Sequence, residues 1–241
     1  MKMLKKIKNY YEFHKAYKSP ENYLNYLRKL GCHIGKTTKI FARPNEVLID
    51  TTRPWLINLG ENVQITRHVT ILTHGYDWSV LKGAYGDVLG SSGKVSIGNN
   101  VFIGMNTTIL KGTKIGNNCI IGANSLVAGE FPDNCVIAGN PAIVISDLDT
   151  YYKKRVALQV KEAKELVIEY YNTYGQAPNP EMLHEFFWIF EKREPLKNSV
   201  YAEIMKLVNN EDISYDKYMK TTPIYANFDA FIKSCLEDIQ K

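Results

Sequence analysis

The sequence predicts a mainly β chain: a parallel β-solenoid of about five triangular coils, with short helices before it and an α-helical extension after it. Three observations carry that prediction. Ile97, Ile103, Ile109, Ile115, Ile121 and Val127 recur at a strict spacing of six. A second inward set, Val95, Val101, Thr107, Thr113, Cys119 and Ser125, stands two positions ahead of each, and most of its members are small or β-branched. Gly98, Gly104, Gly116 and Gly122 follow four of the six. A helix repeats every 3.6 residues and a strand every two. A self-repeat of six marks a solenoid in which each six is one flat side. Three such sides close one coil, so Ile97 should stack on Ile115. Gly and Asn at the corners are expected to supply positive φ.

Residues 1–33 read as capping helices. Six lysines and one glutamate lie in residues 1–18 among Leu4, Ile7, Tyr10, Tyr11, Phe13 and Tyr17. Leu4, Ile7, Tyr11 and Phe13 roughly follow a helical stripe that would cover the solenoid end. The basic face allows at most weak contact with an anionic membrane. Ser19-Pro20-Glu21 opens a second helix, with Ser19 as N-cap and Pro20 in the first turn, and Gly31 ends it.

The solenoid spans 34–145. It starts at Ile34-Gly35 and Ile40, loses register around Pro44, Pro54 and Trp55, and recovers at Leu59, Ile65 and Ile71. The next coil should start at Asp77, yet the pattern resumes only at Ile97, so a segment is inserted between the two coils. This insertion, 73–94, is rich in Gly and carries Tyr76, Trp78 and Tyr85. A long loop thrown out of a rigid repeat is usually functional or disordered. Gly139-Asn140-Pro141-Ala142 closes the solenoid. Residues 146–241 change period: Val156, Val160, Ala163, Val167, Tyr170 and Tyr174 are spaced by four and three, giving a helix from near Asp147 to Gly175. A further helix capped by Asn179 would place Leu183, Phe186, Phe187 and Phe190 on one face, and two more follow from about Ser199 and Pro223.

Composition narrows the function. A net charge of +5 is too mild to imply nucleic acid, and no basic helix or stacking motif adds to it. Cys32, Cys119, Cys135 and Cys235 show neither CxxC spacing nor histidine pairing, so neither a metal site nor a disulfide framework is expected. Cys119 falls at an inward position, where a thiol serves as a small filler. No apolar run reaches membrane-spanning length and no signal-peptide pattern is present, so the chain reads as cytoplasmic.

Among five histidines, His74 stands out because it roots the insertion, in Thr73-His74-Gly75-Tyr76-Asp77-Trp78. A rigid coil fixes it, and neutral imidazole is the usual base for a hydroxyl near pH 7. His68 belongs to another corner and reads as solvated. Asp77 is the nearest acidic residue in sequence, and a backbone carbonyl could orient the imidazole equally well.

Thr73-His74, Val101-Phe102-Ile103-Gly104, Ile121-Gly122-Ala123-Asn124-Ser125-Leu126-Val127 and Ala138-Gly139-Asn140-Pro141-Ala142 together resemble the sugar O-acetyltransferases of the hexapeptide-repeat acyltransferase family. The resemblance covers roughly residues 34–145. It implies a left-handed parallel β-helix, a homotrimer, acetyl-CoA lying between two prisms, and a histidine base, here His74. It implies pantetheine contacts, mostly through backbone groups, at Phe102, Gly104, Met105 and Ala123; Tyr76 and Trp78 could then stack on a sugar face or pin the insertion down, and with Asp77 they are the candidate acceptor-binding residues. Two features depart from the family pattern. Ala128-Gly129 stands where Thr-Lys is frequent, and Ile143 where a basic residue follows Pro-Ala. Lys153, Lys154 and Arg155 are the cations left for the CoA 3′-phosphate. The family's assisting asparagine has no clear counterpart in the irregular coil before Leu59. The acceptor implied is a saccharide hydroxyl, with a xenobiotic, antibiotic or amino-sugar acceptor as the rival within the family. A non-catalytic β-helix scaffold is the rival outside it.

Overall fold

The computed structural model describes residues 12–197 and 199–239. Leu4, Ile7, Tyr10 and Tyr11, read above as part of the first capping helix, lie outside the described residues. Two compact units divide the chain, Met1–Tyr151 and Tyr152–Lys241.

The first unit is a stack of coils. The first coil comprises β1 (His33–Ile34), β2 (Lys39–Ile40) and β3 (Leu48–Ile49). The second comprises β4 (Ile57–Leu59), β5 (Val63–Ile65) and β6 (Thr70–Ile71). A short hairpin, β7 (His74–Gly75) and β8 (Ser91–Ser92), then leaves the stack. The third coil is β9 (Val95–Ile97), β10 (Val101–Ile103) and β11 (Thr108–Ile109). The fourth is β12 (Lys114–Ile115), β13 (Cys119–Ile121) and β14 (Leu126–Val127). β15 (Glu130–Phe131) and β16 (Cys135–Gly139) begin a fifth coil, and β17 (Ala142–Asp147) folds back antiparallel on β16.

Three parallel sheets result, one per side: β1-β4-β9-β12-β15, β2-β5-β10-β13-β16 and β3-β6-β11-β14. Ile97 pairs with Ile115 and Ile103 with Ile121, three sixes apart as the period requires. Leu59 pairs with Ile97, a separation of one coil plus the insertion. The first coil is longer than the rest. Ile34 pairs with Leu59 and Ile49 with Ile71, both separations wider than three sixes. Its extra length sits at two corners, in the 3₁₀ turns Pro44–Glu46 and Pro54–Leu56. The prolines that break the pattern of sixes are therefore the prolines that build those turns.

The inward Ile and Val side chains are essentially excluded from water, each such burial stabilising by about 1.5–3 kcal/mol. The inward hydroxyls bond to carbonyls of the coil: Thr113 Oγ1 donates to Leu110 O at 2.7 Å and Ser125 Oγ to Gly122 O at 2.7 Å. Cys119 and Cys135 stack with their sulfurs 3.7 Å apart, both as free thiols. Burial, with the hydrogen bond to Cys119, pushes the Cys135 thiol up to about 12, so it stays protonated and serves as filler.

Asn and Gly do supply positive φ at the corners: Asn62, Asn100, Asn118 and Asn134 at one edge, Asn106 and Asn124, with His68, at the next, and Gly112 and Gly129 at the third; Gly98, Gly104, Gly116 and Gly122 do not have it. The glycines allow coils to approach. A Cβ on Gly98 would lie 2.7 Å from the Gly116 carbonyl, and one on Gly104 would lie 2.6 Å from the Ala123 amide. The asparagines form a ladder: Asn62 Nδ2 donates to Asn100 Oδ1, Asn100 to Asn118 and Asn118 to Asn134, each at 2.9 Å.

Asn118→Ala should lose both ladder bonds, each worth about 1 kcal/mol, and meet the left-handed penalty of about 1–2 kcal/mol. Asn118→Gly should lose only the ladder. Thermal unfolding that ranks wild type above Gly above Ala is the expected result; equal Tm values for the two variants would remove the strain component.

The helix Pro20–Leu30 covers the first coil. Ser19 accepts a hydrogen bond from the Asn22 amide at 3.2 Å, and Gly31 ends the helix at φ 112°. Tyr23, Leu24 and Leu27 join the solenoid core, as does Ala16 from the helical residues 12–16.

The second unit takes most of the helix Leu148–Tyr174, followed by the helices Val200–Lys206, Glu211–Met219 and Phe228–Ile239. Asn179 does cap a turn, its side chain accepting from the Met182 amide at 3.2 Å. The aromatic segment nevertheless forms two 3₁₀ turns, Pro180–Leu183 and Phe187–Ile189, rather than an α-helix. Phe187, Phe190, Tyr201, Tyr218 and Phe231 build a separate core with Ala163 and Val167. The aromatic residues are packing residues, as their spacing suggests.

Candidate active site

The third sheet positions the site. Pairing of β3 with β6 sets Ile49 beside Ile71, and the Asp50 amide continues the ladder by donating to the Ile71 carbonyl at 3.0 Å. Asp50 thus leaves the first coil directly under Thr73 and His74 of the second. It is 7% exposed, and its carboxylate collects five donors. The Thr52 amide and hydroxyl reach Oδ1 at 2.9 and 2.7 Å. The Thr73 amide reaches Oδ2 at 3.2 Å, the Thr73 hydroxyl bonds the same oxygen, and His74 Nδ1 lies 2.6 Å from it. Burial works against the charge on Asp50, but the hydrogen bonds from Thr73, Thr52 and His74 outweigh it and hold the carboxyl well below the usual carboxylate range.

These bonds assign the imidazole tautomer. An ionised carboxylate can only accept, so His74 Nδ1 carries the proton. Thr52 Oγ1 lies 3.3 Å from the same nitrogen. Its own hydrogen is spent on Asp50, so it too can only accept there. Nε2 is left with its lone pair, aimed away from the carboxylate.

Sequence reasoning misses Asp50 and looks to Asp77 or a backbone carbonyl instead. The detectable signal is the match of Val47-Leu48-Ile49-Asp50 with Val69-Thr70-Ile71-Leu72, put out of step with the period by the Pro54 turn between them and the Pro44 turn before them. Asp77 is exposed and precedes the helix Trp78–Tyr85 without capping it.

The insertion is ordered differently from the expected Gly-rich loop. Its root is the β7–β8 hairpin, His74 facing Ser92 and Gly75 facing Ser91. The Gly93 amide donates to the Thr73 carbonyl at 2.9 Å, and Arg53 Nη1 to the Ser91 carbonyl at 3.3 Å. Tyr76 meets the edge of His74 at 5.0 Å between ring centres, and Trp78 stands behind Tyr76 at 6.2 Å. The helix buries none of its residues; Tyr76 is 67% and Tyr85 77% exposed. His68 is exposed at its corner with φ 60°, in the place Asn106 and Asn124 take in later coils.

Phe102, Gly104, Met105 and Ala123 line the edge between the second and third sheets. The Gly104 amide donates to the Ile121 carbonyl and the Met105 carbonyl accepts from the Asn124 amide, both at 2.8 Å. Those two backbone groups are engaged in the coil ladder. The outward surface here is the side chains of Phe102, 39% exposed, and Met105, 45% exposed. His74 stands at the opposite edge of the third sheet. The side of the coil from Thr107 to Leu110 separates the two edges. Lys153, Lys154 and Arg155 fall in the second unit, where Arg155 makes a bidentate pair with Glu162 at 2.7 and 2.6 Å.

Among the described residues no cluster of three or more His, Cys, Asp or Glu is placed to hold a metal, and no helix is long and apolar enough to cross a membrane.

Comparison with known proteins agrees with the coil pattern. The family model described as bacterial transferase hexapeptide (six repeats) matches residues 94–129. Protein CapG of Staphylococcus aureus is 37% identical over 128 residues, 53% of this chain and 73% of that one. The protein named "Putative acetyltransferase YvoF" of Bacillus subtilis (strain 168) is 34% identical over 166 residues, 67% of this chain and 86% of that one. Galactoside O-acetyltransferase of Escherichia coli (strain K12) is 34% identical over 140 residues, 57% of this chain and 64% of that one.

Proposed function

We propose, for a chain that belongs to the hexapeptide-repeat acyltransferase family and is an acyltransferase of that type, that it moves an acetyl group from acetyl-CoA to a hydroxyl of a saccharide, with His74 as general base. The observation that carries this reading is the pairing of His74 Nδ1 with buried Asp50, which leaves Nε2 as a fixed proton acceptor. The likeness to galactoside O-acetyltransferase supports the saccharide.

His74 Nε2 takes the proton from the acceptor hydroxyl as that oxygen attacks the thioester carbonyl. Backbone amides are the donors available for the resulting oxyanion. The imidazolium forms beside Asp50, whose negative charge stabilises it, and then returns the proton to the departing thiolate. Tyr76 holds the imidazole edge and, with Asp77 and Trp78, offers a wall for the sugar.

The donor surface at Phe102, Gly104, Met105 and Ala123 and the base at His74 occupy different edges of one prism. We therefore place the complete site between two copies, with the edge of one subunit meeting the opposite edge of the next in a homotrimer. The helix Trp78–Tyr85 supports the same arrangement: Val80 and Tyr85 are exposed while Trp78 and Leu81 are half-buried, and an exposed apolar face marks an interaction surface. Light scattering at assay concentration should report three chains per particle, and a monomer that retains full activity would refute the composite site. Release of free thiol from acetyl-CoA in the presence of a panel of saccharides tests the reaction itself; release with none of them would overturn the saccharide assignment.

A further inference from the structure

The rung next to His74 carries charges that the acetyl transfer does not use. Gly75 faces Ser91 across the β7–β8 hairpin. The Lys111 side chain, from the next coil, runs over Gly75, its Cε 3.8 Å from where a Cβ on that glycine would stand. From the first coil, Arg53 reaches the other strand of the same rung through its bond to the Ser91 carbonyl. Arg53 is half-buried, and neither cation is within ion-pair distance of a carboxylate among the described residues. Asp50 is buried with both oxygens taken by Thr52, Thr73 and His74, so the charged groups left partly exposed at the rung are two cations and one carboxylate, Asp77, whose Oδ1 also borders Gly75. Half-buried guanidinium groups are normally paired.

We infer that this rung is a specificity subsite of the acceptor, and that it takes an anionic group, a carboxylate or a phosphate, carried by the saccharide close to the hydroxyl that is acetylated. The inference rests on the reading of His74 as the base for a saccharide hydroxyl. Arg53 offers a planar fork and Lys111 a point charge to such a group, while Asp77 can accept from a neighbouring hydroxyl. Phosphates of the acyl donor do not fit the same place. The thioester carbonyl must lie beside His74, and the pantetheine arm carries the CoA phosphates far from it. Ile109 pairs with Ile71, so the Lys111 backbone lies one strand spacing, ~4.8 Å, from the Thr73 end of the second coil.

The test compares galactose, galacturonate and galactose 1-phosphate as acceptors of wild type, Lys111→Met and Lys111→Arg, by thiol release, with saturation-transfer NMR of the same sugars as an independent measure of binding. Wild type should favour at least one anionic sugar over galactose by about 10–100-fold in kcat/KM, as a charge-assisted hydrogen bond provides. That preference should shrink with salt. Lys111→Met should abolish it without changing the KM for acetyl-CoA, and Lys111→Arg should keep it. The better of the two anions tells carboxylate from phosphate. Equal use of all three sugars by wild type, or a raised acetyl-CoA KM in Lys111→Met, would overturn the inference. If no sugar is acetylated, the saccharide reaction falls, and binding still decides the subsite. An anionic sugar bound by wild type and not by Lys111→Met upholds it; binding that is absent or unchanged overturns it.

Discussion

Replacing His74 by alanine is expected to lower kcat by about 10²–10⁴-fold, the usual worth of general-base catalysis. The variant loses the proton acceptor but retains the coil, because the β6 ladder and the Thr73 and Thr52 bonds to Asp50 do not depend on the imidazole. The KM for acetyl-CoA should change little, since the surface assigned to the donor lies along the other edge of the third sheet. His68→Ala is the control. His68 is exposed at a corner, so its replacement should leave turnover unchanged. A His74→Ala protein that turns over near the wild-type rate would end the role assigned to His74 and the view of the insertion as the wall of the acceptor site.

The regular coils are legible in the sequence because one side chain in six must fit a narrow interior, and that constraint writes itself directly into Ile97 through Val127. The length of the insertion is legible for the same reason, since resumption of the period at Ile97 sets it. What happens within the insertion is not. Its glycines suggest a loop, whereas Gly86 ends a helix and Gly75 clears space for Asp77 and Lys111. Gly112 and Gly129 do take positive φ at their corner, whereas a glycine directly after an inward Ile serves close approach instead, and the period cannot tell the two uses apart. Asp50 is hidden because two proline turns put the first coil out of register, so its separation from His74 is no multiple of one regular coil. In the second unit, helix periodicity finds Ala163 and Val167, but the turn-forming segment after Asn179 has aromatic residues at spacings that suit either helix type.

Asp50→Asn should produce the second large loss, and its mechanism differs from that of His74→Ala. The carboxylate accepts from Thr52, Thr73 and His74 at once. An amide has one accepting atom and one donating group in the same space, so part of that donor set must face an N–H. If the amide nitrogen turns toward His74, Nδ1 must give up its proton to accept, and the hydrogen moves to Nε2, where it blocks the base. The fall in kcat is bounded by that of His74→Ala, about 10²–10⁴-fold, and the double variant should be no worse than His74→Ala alone, because both act through one group. Additive losses would give Asp50 a role separate from the imidazole. Stability should also drop, by about 1–3 kcal/mol for the donors left unmatched in a buried place. The sign of the pH dependence follows from the same carboxyl. Its pKa is lowered in the folded chain, so its stabilisation is complete above the unfolded value of about 3.9 and is lost as pH falls through the folded one. Acid unfolding of Asp50→Asn should therefore be shallower at the low end than that of wild type, with the two curves parallel at neutral pH. Identical acid limbs would show that Asp50 does not hold the charge that orients His74.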